Sequence, residues 1–166
     1  RIRLGNITDF RSESGWDLIV APFRVFMHLT GKNDQLSALN NVCTQLNPGG
    51  KFIFDVFNPD LKPLLTGLDN ITDFKGEYEP GKTLRRTVST APDLINQVIN
   101  ITFRIDWNDG EADHSSEWHT PLRYFFRFEL EHLLERSLFG SYQISGDFDG
   151  GTLTNDSKEF VVTCFK

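Results

Sequence analysis

Three short strand-like segments of the chain each end in, or lead into, residues that can bind a ligand or take part in chemistry. RIRLGNI ends in residues 5–7, Gly-Asn-Ile, and WDLIVAPF ends in residues 21–23, Ala-Pro-Phe. The third run, KFIFDVF, leads into Asn58 and a following Pro-Asp. Ligands of open α/β sheets bind beyond the carboxyl ends of the strands, so these residues are candidates for one site.

The elements that must position these residues follow from the hydrophobic pattern. Four successive apolar residues before Pro22 are typical of a parallel strand that is buried on both faces. After Asp34, a candidate N-cap, apolar residues recur at three- and four-residue steps as far as the Pro-Gly-Gly at 48–50, which predicts an amphipathic helix. KFIFDVF predicts the next strand. Strand, helix and strand then form a βαβ unit with a right-handed crossover.

The second half of the chain has a different pattern. Three segments rich in Thr, Ile, Val and aromatic residues lie near residues 83–90, 95–107 and 115–126. Turn sequences separate them, which predicts an antiparallel meander. RFELEHLLERSLF then predicts a helix, and YQISGDF and EFVVTCF predict two closing strands. We therefore expect an α/β fold with a mostly parallel, Rossmann-like sheet in residues 1–75 and 127–166, and an inserted three-stranded antiparallel lobe in residues 76–126.

Composition excludes several kinds of partner. The 166 residues carry a net charge of -6 without a cluster of Lys and Arg, so no nucleic-acid partner is expected. No run approaches the ~18 apolar residues of a membrane helix, so no membrane partner is expected either. Cys43 and Cys164 lie in apolar patterns without metal-ligand spacing, which indicates buried thiols in a reducing, cytoplasmic compartment.

Several blocks together resemble a known family. GNITDF, WDLIVAPFRVFMHL, LNPGGKFIFDVFNP and RYFFRFELEHLLERSLF, in this order, resemble the later part of a class I S-adenosylmethionine-dependent methyltransferase. Bacterial small-molecule enzymes of this class that carry an antiparallel lobe before the penultimate helix, including amino-sugar N-methyltransferases, are the most similar. The resemblance implies strands three to seven of a seven-stranded sheet, whose order is three-two-one-four-five-seven-six.

Two family motifs are not in this sequence: the glycine-rich turn after the first strand and the acidic residue after the second. The resemblance therefore implies a C-terminal portion of a methyltransferase. We expect such a portion by itself to be inactive and to bind S-adenosylmethionine weakly or not at all.

The resemblance implies cofactor-binding roles for five residues. Asn6 stands where the family usually has an Asp that accepts a hydrogen bond from adenine, and Ile7 would offer adenine its backbone N–H and an apolar face. Ala21, Pro22 and Phe23 would lie near the sulfonium, where an aromatic ring can stabilise a cation. A core position for Phe23 is the alternative.

His28 is the candidate catalytic base, because a histidine can take a proton from an amine or hydroxyl near neutral pH. Methyl transfer depends largely on the alignment of its reactants, so an indispensable base is not required. The candidates for contact with the acceptor are Phe26, His28, Asn58, Trp118, His119, Arg123 and Tyr124. Strand alternation allows only about half of those in the lobe to face one pocket. Asp55, inside a strand, is interpreted as structural.

Two functions from different classes remain. The first is methyl transfer to N or O of a small-molecule acceptor. The alternative is a non-catalytic α/β binding module, or a homodimerising domain that has lost cofactor binding; the closing antiparallel strands disfavour a dehydrogenase. WDLIVAPF would form an apolar sheet edge, so we expect a homodimer whose contact includes Asp17–Phe23 or a displaced RIRLGNI segment.

Overall fold

The computed structural model describes residues 2–13 and 15–166, which form eight strands and three α-helices. The strands are β1 (Trp16–Ala21), β2 (Leu46–Phe57), β3 (Leu68–Glu79), β4 (Lys82–Asp93), β5 (Val98–Asn108), β6 (Asp113–Arg123), β7 (Ser141–Ser145) and β8 (Glu159–Phe165). The helices are α1 (Lys32–Gln45), α2 (Leu61–Thr66) and α3 (Arg127–Glu135), and a short 3-10 helix spans Val25–His28. Within the described residues, no helix is both long and apolar enough to cross a membrane.

The first of two units comprises residues 1–59 and 124–166 and contains a sheet with the order β1-β2-β8-β7. β1 and β2 are parallel, whereas β8 is antiparallel to both β2 and β7. The expectation of a mostly parallel sheet is therefore wrong for the described strands, because only one of their three pairings is parallel. In the strand order that the resemblance implies, these are the places of strands four, five, seven and six.

The segment RIRLGNI does not form the strand expected from its alternating pattern. Residues 2–6 have no strand assignment, and the side chains of Ile2 and Leu4 are fully exposed. β1 pairs only with β2 among the described residues, so this segment has no strand beside it. Alternation indicates which face of a strand is buried, but a strand also needs a partner for its backbone hydrogen bonds.

An aromatic cluster forms the centre of the first unit. Phe26, Phe52 and Phe54 are all at most 1% exposed, and the rings of Phe26 and Phe54 are 4.5 Å apart. α1 packs beside the sheet; it begins after Gly31, and Asp34 lies in its first turn instead of capping it. Cys43 and Cys164 are both buried and free, and burial raises the pKa of Cys164 to about 12. The prediction of two buried thiols is confirmed.

The second unit comprises residues 60–123 and contains a separate antiparallel sheet with the order β3-β4-β5-β6. The lobe has four strands where the sequence analysis expected three, because β3 was not recognised. Its unit also begins at Asp60, ahead of the boundary expected at residue 76. β3 has three register shifts against β4, and bulges of this kind interrupt the alternation that identifies a strand in a sequence.

Candidate functional site

A cavity of about 430 Å³ lies at the edge of the first sheet where β1 ends. We call it the acidic cavity. It is lined by Pro22, Phe23, Arg24, Asp55, Phe148 and Glu159, all of which belong to the first unit. The parallel pairing of Ala21 with Phe54 brings Asp55 of β2 level with the end of β1. The topology therefore brings two carboxylates to the edge at which open α/β sheets bind ligands.

The backbone at the mouth of this cavity is strained. Phe23 and Arg24 have φ angles of 60° and 63°, in the left-handed region that residues other than glycine rarely adopt. Phe23 is 92% exposed, so burial of its ring does not offset this strain. Strained backbone of this kind is concentrated at functional sites, where it points to a function for the segment.

Two carboxylate oxygens in the acidic cavity lack hydrogen-bond partners among the described residues. Asp55 is 2% exposed; its Oδ2 accepts a hydrogen bond of 3.2 Å from the backbone N–H of Arg24, whereas its Oδ1 has no partner. Glu159 pairs through Oε1 with Arg24 at 2.7 Å, and its Oε2 is buried without a partner. A buried oxygen without a donor is destabilising, so this pair is suited to a ligand that supplies donors.

A second cavity, of about 360 Å³, lies between the segment that precedes β1 and helix α1. We call it the loop cavity. Its walls include Asn6, Ile7, Phe10, Trp16, Leu18, Ile19 and Val42. Asn41 of α1 fixes the loop through its side-chain amide, which donates to the carbonyls of Ile7 and Phe10 at 2.9 and 3.0 Å. The apolar walls and ordered backbone of this cavity suit a flat heteroaromatic ring.

The lining residues of these two cavities fit the chemistry of S-adenosylmethionine. Two carboxylates against one guanidinium give the acidic cavity a net negative charge, and the exposed ring of Phe23 adds an aromatic face, both favourable for a sulfonium or ammonium cation. In the loop cavity, Asn6 Oδ1 accepts a hydrogen bond from the N–H of Thr8 at 3.1 Å. An amide oxygen has two lone pairs, so Asn6 Oδ1 can accept a second hydrogen bond; its contact with adenine stays a prediction.

The predicted site residues of the first unit lie in different surroundings. Asn6 and Ile7 line the loop cavity, whereas Pro22 and Phe23 line the acidic cavity next to Ala21, which is 8% exposed. The other predicted residues of this unit are Phe26, His28, Asn58 and Tyr124. Phe26 and Tyr124 are in the core, at 1% and 3% exposure, which leaves their side chains little surface for contact with an acceptor.

Asn58 and His28 have distinct positions. Asn58 donates from its backbone and its side chain to the carbonyls of Lys158 and Ser157, both at bond lengths below 3 Å, so it ties the end of β2 to the segment before β8. His28 ends the 3-10 helix, is exposed, and lines neither of the two cavities. Its role as a base stays a prediction.

The three predicted site residues of the lobe are divided between two faces of its sheet. His119 and Arg123 lie on one face of β6, and Trp118 lies on the other, as strand alternation requires. His119 Nδ1 is 2.8 Å from Thr102 Oγ1, and Arg123 donates to the carbonyl of Asn96 at 2.7 Å. Trp118 stacks on Phe103 with ring centroids 5.0 Å apart. Their contact with an acceptor stays a prediction.

Sequence reasoning did not assign Arg24, Asn41 or Glu159 to a site, and it interpreted Asp55 as structural. A signal existed for Asp55, since a charged residue inside the apolar run KFIFDVF needs a reason to be buried. No comparable signal existed for Glu159, because only the antiparallel register of β8 with β2 places it opposite Phe57 at this edge.

Known proteins were compared with the chain by sequence and by structure. No protein-family model and no curated protein matches it. Among solved structures, it resembles an S-adenosylmethionine-dependent methyltransferase from Clostridium acetobutylicum with a TM-score of 0.81 and 15% identity, over 99% of this chain and 64% of that one. The sugar N-methyltransferase KedS8 from Streptoalloteichus sp. has a TM-score of 0.74 and 15% identity, over 98% and 60% of the two chains.

A third similar structure contains the cofactor. It is S-adenosylmethionine-bound CalS10, an amino pentose methyltransferase from Micromonospora echinaspora, with a TM-score of 0.68 and 16% identity over 96% of this chain and 62% of that one. The chain thus spans less than two thirds of the length of these proteins. The resemblance stated from the sequence is confirmed: the chain has the fold of class I S-adenosylmethionine-dependent methyltransferases.

Proposed function

We propose that this chain, which has the fold of class I S-adenosylmethionine-dependent methyltransferases, belongs to an enzyme that transfers a methyl group to an amine nitrogen of a small molecule. The observation that carries the proposal is the pair of buried, unpartnered oxygens, Asp55 Oδ1 and Glu159 Oε2, in a cavity at the ligand edge of the sheet. The amine nitrogen is supported by the negative charge of this cavity and by the sugar N-methyltransferase among the similar structures.

When bound, S-adenosylmethionine supplies a methyl group on a positively charged sulfonium sulfur, which becomes a neutral thioether as the group is transferred. The chain's own residues orient and deprotonate the acceptor. Asp55 Oδ1 accepts a hydrogen bond from an N–H of the acceptor, and after the new C–N bond has formed it takes the proton that nitrogen must lose. Glu159 Oε2 accepts a second N–H hydrogen bond, and the face of the Phe23 ring attracts the positive charge.

A buried carboxylate pair favours an amine over a hydroxyl acceptor. An amine carries positive charge when protonated and gains it again on methylation, and both charged forms are attracted to Asp55 and Glu159. A neutral hydroxyl supplies only one donor, so one of the two orphan oxygens would stay unsatisfied. The geometry supports N-methylation for this reason.

The test is the preference of the site for a cation, measured on the protein expressed from its complete reading frame. S-Adenosylmethionine and S-adenosylhomocysteine differ by one methyl group and one positive charge, so the ratio of their dissociation constants reports the charge of the site. Isothermal titration of Asp55→Asn should show this ratio reduced by roughly tenfold or more, because a sulfonium donates no hydrogen bond but is attracted electrostatically to a buried carboxylate.

Asp17→Asn is the matched control. It removes the same charge from the same unit, but Asp17 is exposed, and its carboxylate accepts a hydrogen bond from Asn47 at 2.8 Å. The control should leave the ratio unchanged. Failure of either compound to bind would remove methyl transfer as the function, and an equal effect of both variants would remove Asp55 from the site.

A homodimerising module is the second candidate, and the exposed side of β1 favours it. Trp16, Leu18 and Val20 are between 45% and 55% exposed, and β1 pairs only with β2 among the described residues. An apolar edge strand with unpaired backbone groups recruits another strand. We therefore propose that the 166-residue chain forms a two-fold dimer through β1.

Light scattering tests this association. Leu18→Lys places a charge on the edge, and two-fold symmetry brings two such lysines together, so this variant should be a monomer. Leu65→Lys, at another exposed apolar position, should behave as the unsubstituted chain does. A chain that is monomeric without any substitution would contradict the dimer and leave methyl transfer untouched.

A further inference from the structure

The lobe carries a cavity of about 420 Å³ on its own sheet, in residues that belong to the second unit alone. The register places Lys75, Arg85, Asp106 and Ser115 in one row across β3, β4, β5 and β6. Side chains alternate between the two faces along each strand, so this row and Arg104, two residues from Asp106, share one face. We call the surface formed by these five residues the basic face.

Three cations on the lobe strands form an ion pair with an acidic residue of the lobe. Arg104 pairs with Asp106 at 3.0 Å, Arg86 with Asp73 at 2.9 Å, and Lys82 with Glu79 at 2.6 Å. The pKa of Asp106 is lowered, first by a hydrogen bond from Ser115 and then by that from Arg104, so its carboxylate remains ionised and engaged. Lys75 and Arg85 differ: neither forms an ion pair with a residue that the structure describes.

Lys75 and Arg85 lie directly opposite each other across β3 and β4, and Arg85 also lies opposite Asp106, whose pKa it lowers by charge attraction without forming an ion pair. Like charges in such cross-strand pairs are destabilising. The chain has a net charge of -6, so its composition does not account for two basic residues at these opposite positions. Arg85 is also held in place, because its Nε donates to Thr72 Oγ1 at 3.2 Å. A fixed guanidinium beside a lysine is the arrangement that binds an oxyanion, since the guanidinium offers parallel donors and the ammonium a point charge.

We propose that the basic face binds an oxyanion, the phosphate or carboxylate group of a small molecule, between Lys75 and Arg85. An extended phosphate backbone does not fit, because Asp106 and Asp113 line the same cavity and would repel it. The site is independent of the methyl-transfer proposal, since it lies wholly in the lobe.

Heteronuclear NMR of the full chain, titrated at low salt with inorganic pyrophosphate and separately with succinate, tests the proposal. Amide resonances of Lys75 and Arg85 should shift and saturate with at least one of the two probes. Lys75→Gln combined with Arg85→Gln should weaken binding roughly tenfold or more, as expected for the loss of charge-assisted hydrogen bonds. Lys82→Gln, the matched control, removes a cation of the same lobe that already pairs with Glu79 and does not line the cavity.

Each outcome decides the matter. Saturation by pyrophosphate alone identifies a phosphate site, and saturation by succinate alone a carboxylate site. No saturable shift with either probe overturns the proposal, as does an equal loss of binding in Lys82→Gln. Binding of a DNA duplex more tightly than pyrophosphate overturns the small-molecule assignment. The double variant should keep its melting temperature, because it removes a repulsive pair, so lost binding will not reflect unfolding.

Discussion

The acidic cavity and the basic face have opposite charge and opposite construction. The acidic cavity depends on strained backbone at Phe23 and Arg24 and on carboxylate oxygens that are buried without donors. The basic face lies on the paired strands of the lobe sheet, and its cations are exposed to solvent. Burial makes an uncompensated charge costly, whereas water screens an exposed one.

This difference predicts how substitutions act at the two sites. Changes around the acidic cavity should alter both stability and binding, because Asp55 is buried and lies on β2, the strand that also carries the core residues Phe52 and Phe54. Changes on the basic face should alter binding with little effect on stability. The substitutions below test this contrast, from the largest expected effect to the smallest.

Loss of an aromatic ring from the core of the first unit should have the largest effect. Phe54 is 1% exposed; its ring stacks on that of Phe52 at 5.1 Å and packs against that of Phe26 at 4.5 Å in a tilted arrangement. Phe54→Ala should lower the free energy of unfolding of the first unit by about 3–5 kcal/mol. Phe103→Ala, which removes a half-buried ring from the lobe, should cost less than half of that. Native-state hydrogen exchange reports the two units separately, and equal losses would contradict the contrast.

The loop cavity should depend on one side chain of α1. Asn41 is 7% exposed and donates to the carbonyls of both Ile7 and Phe10. Asn41→Ala should lower the free energy of unfolding by about 1–3 kcal/mol, because two acceptors lose their donor. Amide exchange of residues 6–10 should accelerate more than that of the sheet. Asn40→Ala, a neighbouring substitution whose side chain accepts from Leu138, should leave these amides protected.

The elements that the sequence predicted well are those with a continuous apolar pattern. Such patterns predict β1, β8, α1 and α3. In each of these elements, the apolar residues of the element itself show which side is buried. β3 was missed because LDNITDFKGEYE contains few apolar residues and its pairing with β4 is irregular. RIRLGNI was expected to be a strand because apolar residues alternate in it, but among the described residues no strand lies beside it to pair with its backbone.

The candidate site was predictable only in part, for a similar reason. The rule that ligands bind at strand ends identified Pro22 and Phe23, both of which line the acidic cavity. Glu159 and Asn41 were not identifiable, because they reach the two cavities through strand register and helix packing. The left-handed conformation of Phe23 and Arg24 also has no sequence signal, since neither is a glycine or an asparagine.

Relief of the strain at Phe23 should have a smaller effect, and of the opposite sign. Phe23→Gly should raise the free energy of unfolding by about 1 kcal/mol, because glycine adopts a φ of 60° without a steric penalty and the exposed ring contributes little packing. Phe148→Gly, at another exposed ring of the same cavity without a positive φ, should be destabilising. Urea denaturation of both variants measures the difference, and a destabilised Phe23→Gly would show that the ring is held by packing.

The smallest effect should come from the basic face. Lys75→Gln removes one of two like charges that lie directly opposite across β3 and β4, so it should raise the free energy of unfolding by roughly 0.2–1 kcal/mol at low salt. The gain should shrink as salt is added, because both side chains are exposed and their repulsion is screened. Lys82→Gln should have the opposite sign, since it removes an ion pair with Glu79 at 2.6 Å. Urea denaturation at two salt concentrations separates the variants. A Lys75→Gln chain that is less stable at low salt would mean that Lys75 has a stabilising role within the sheet, and the basic face would then need no ligand to explain it.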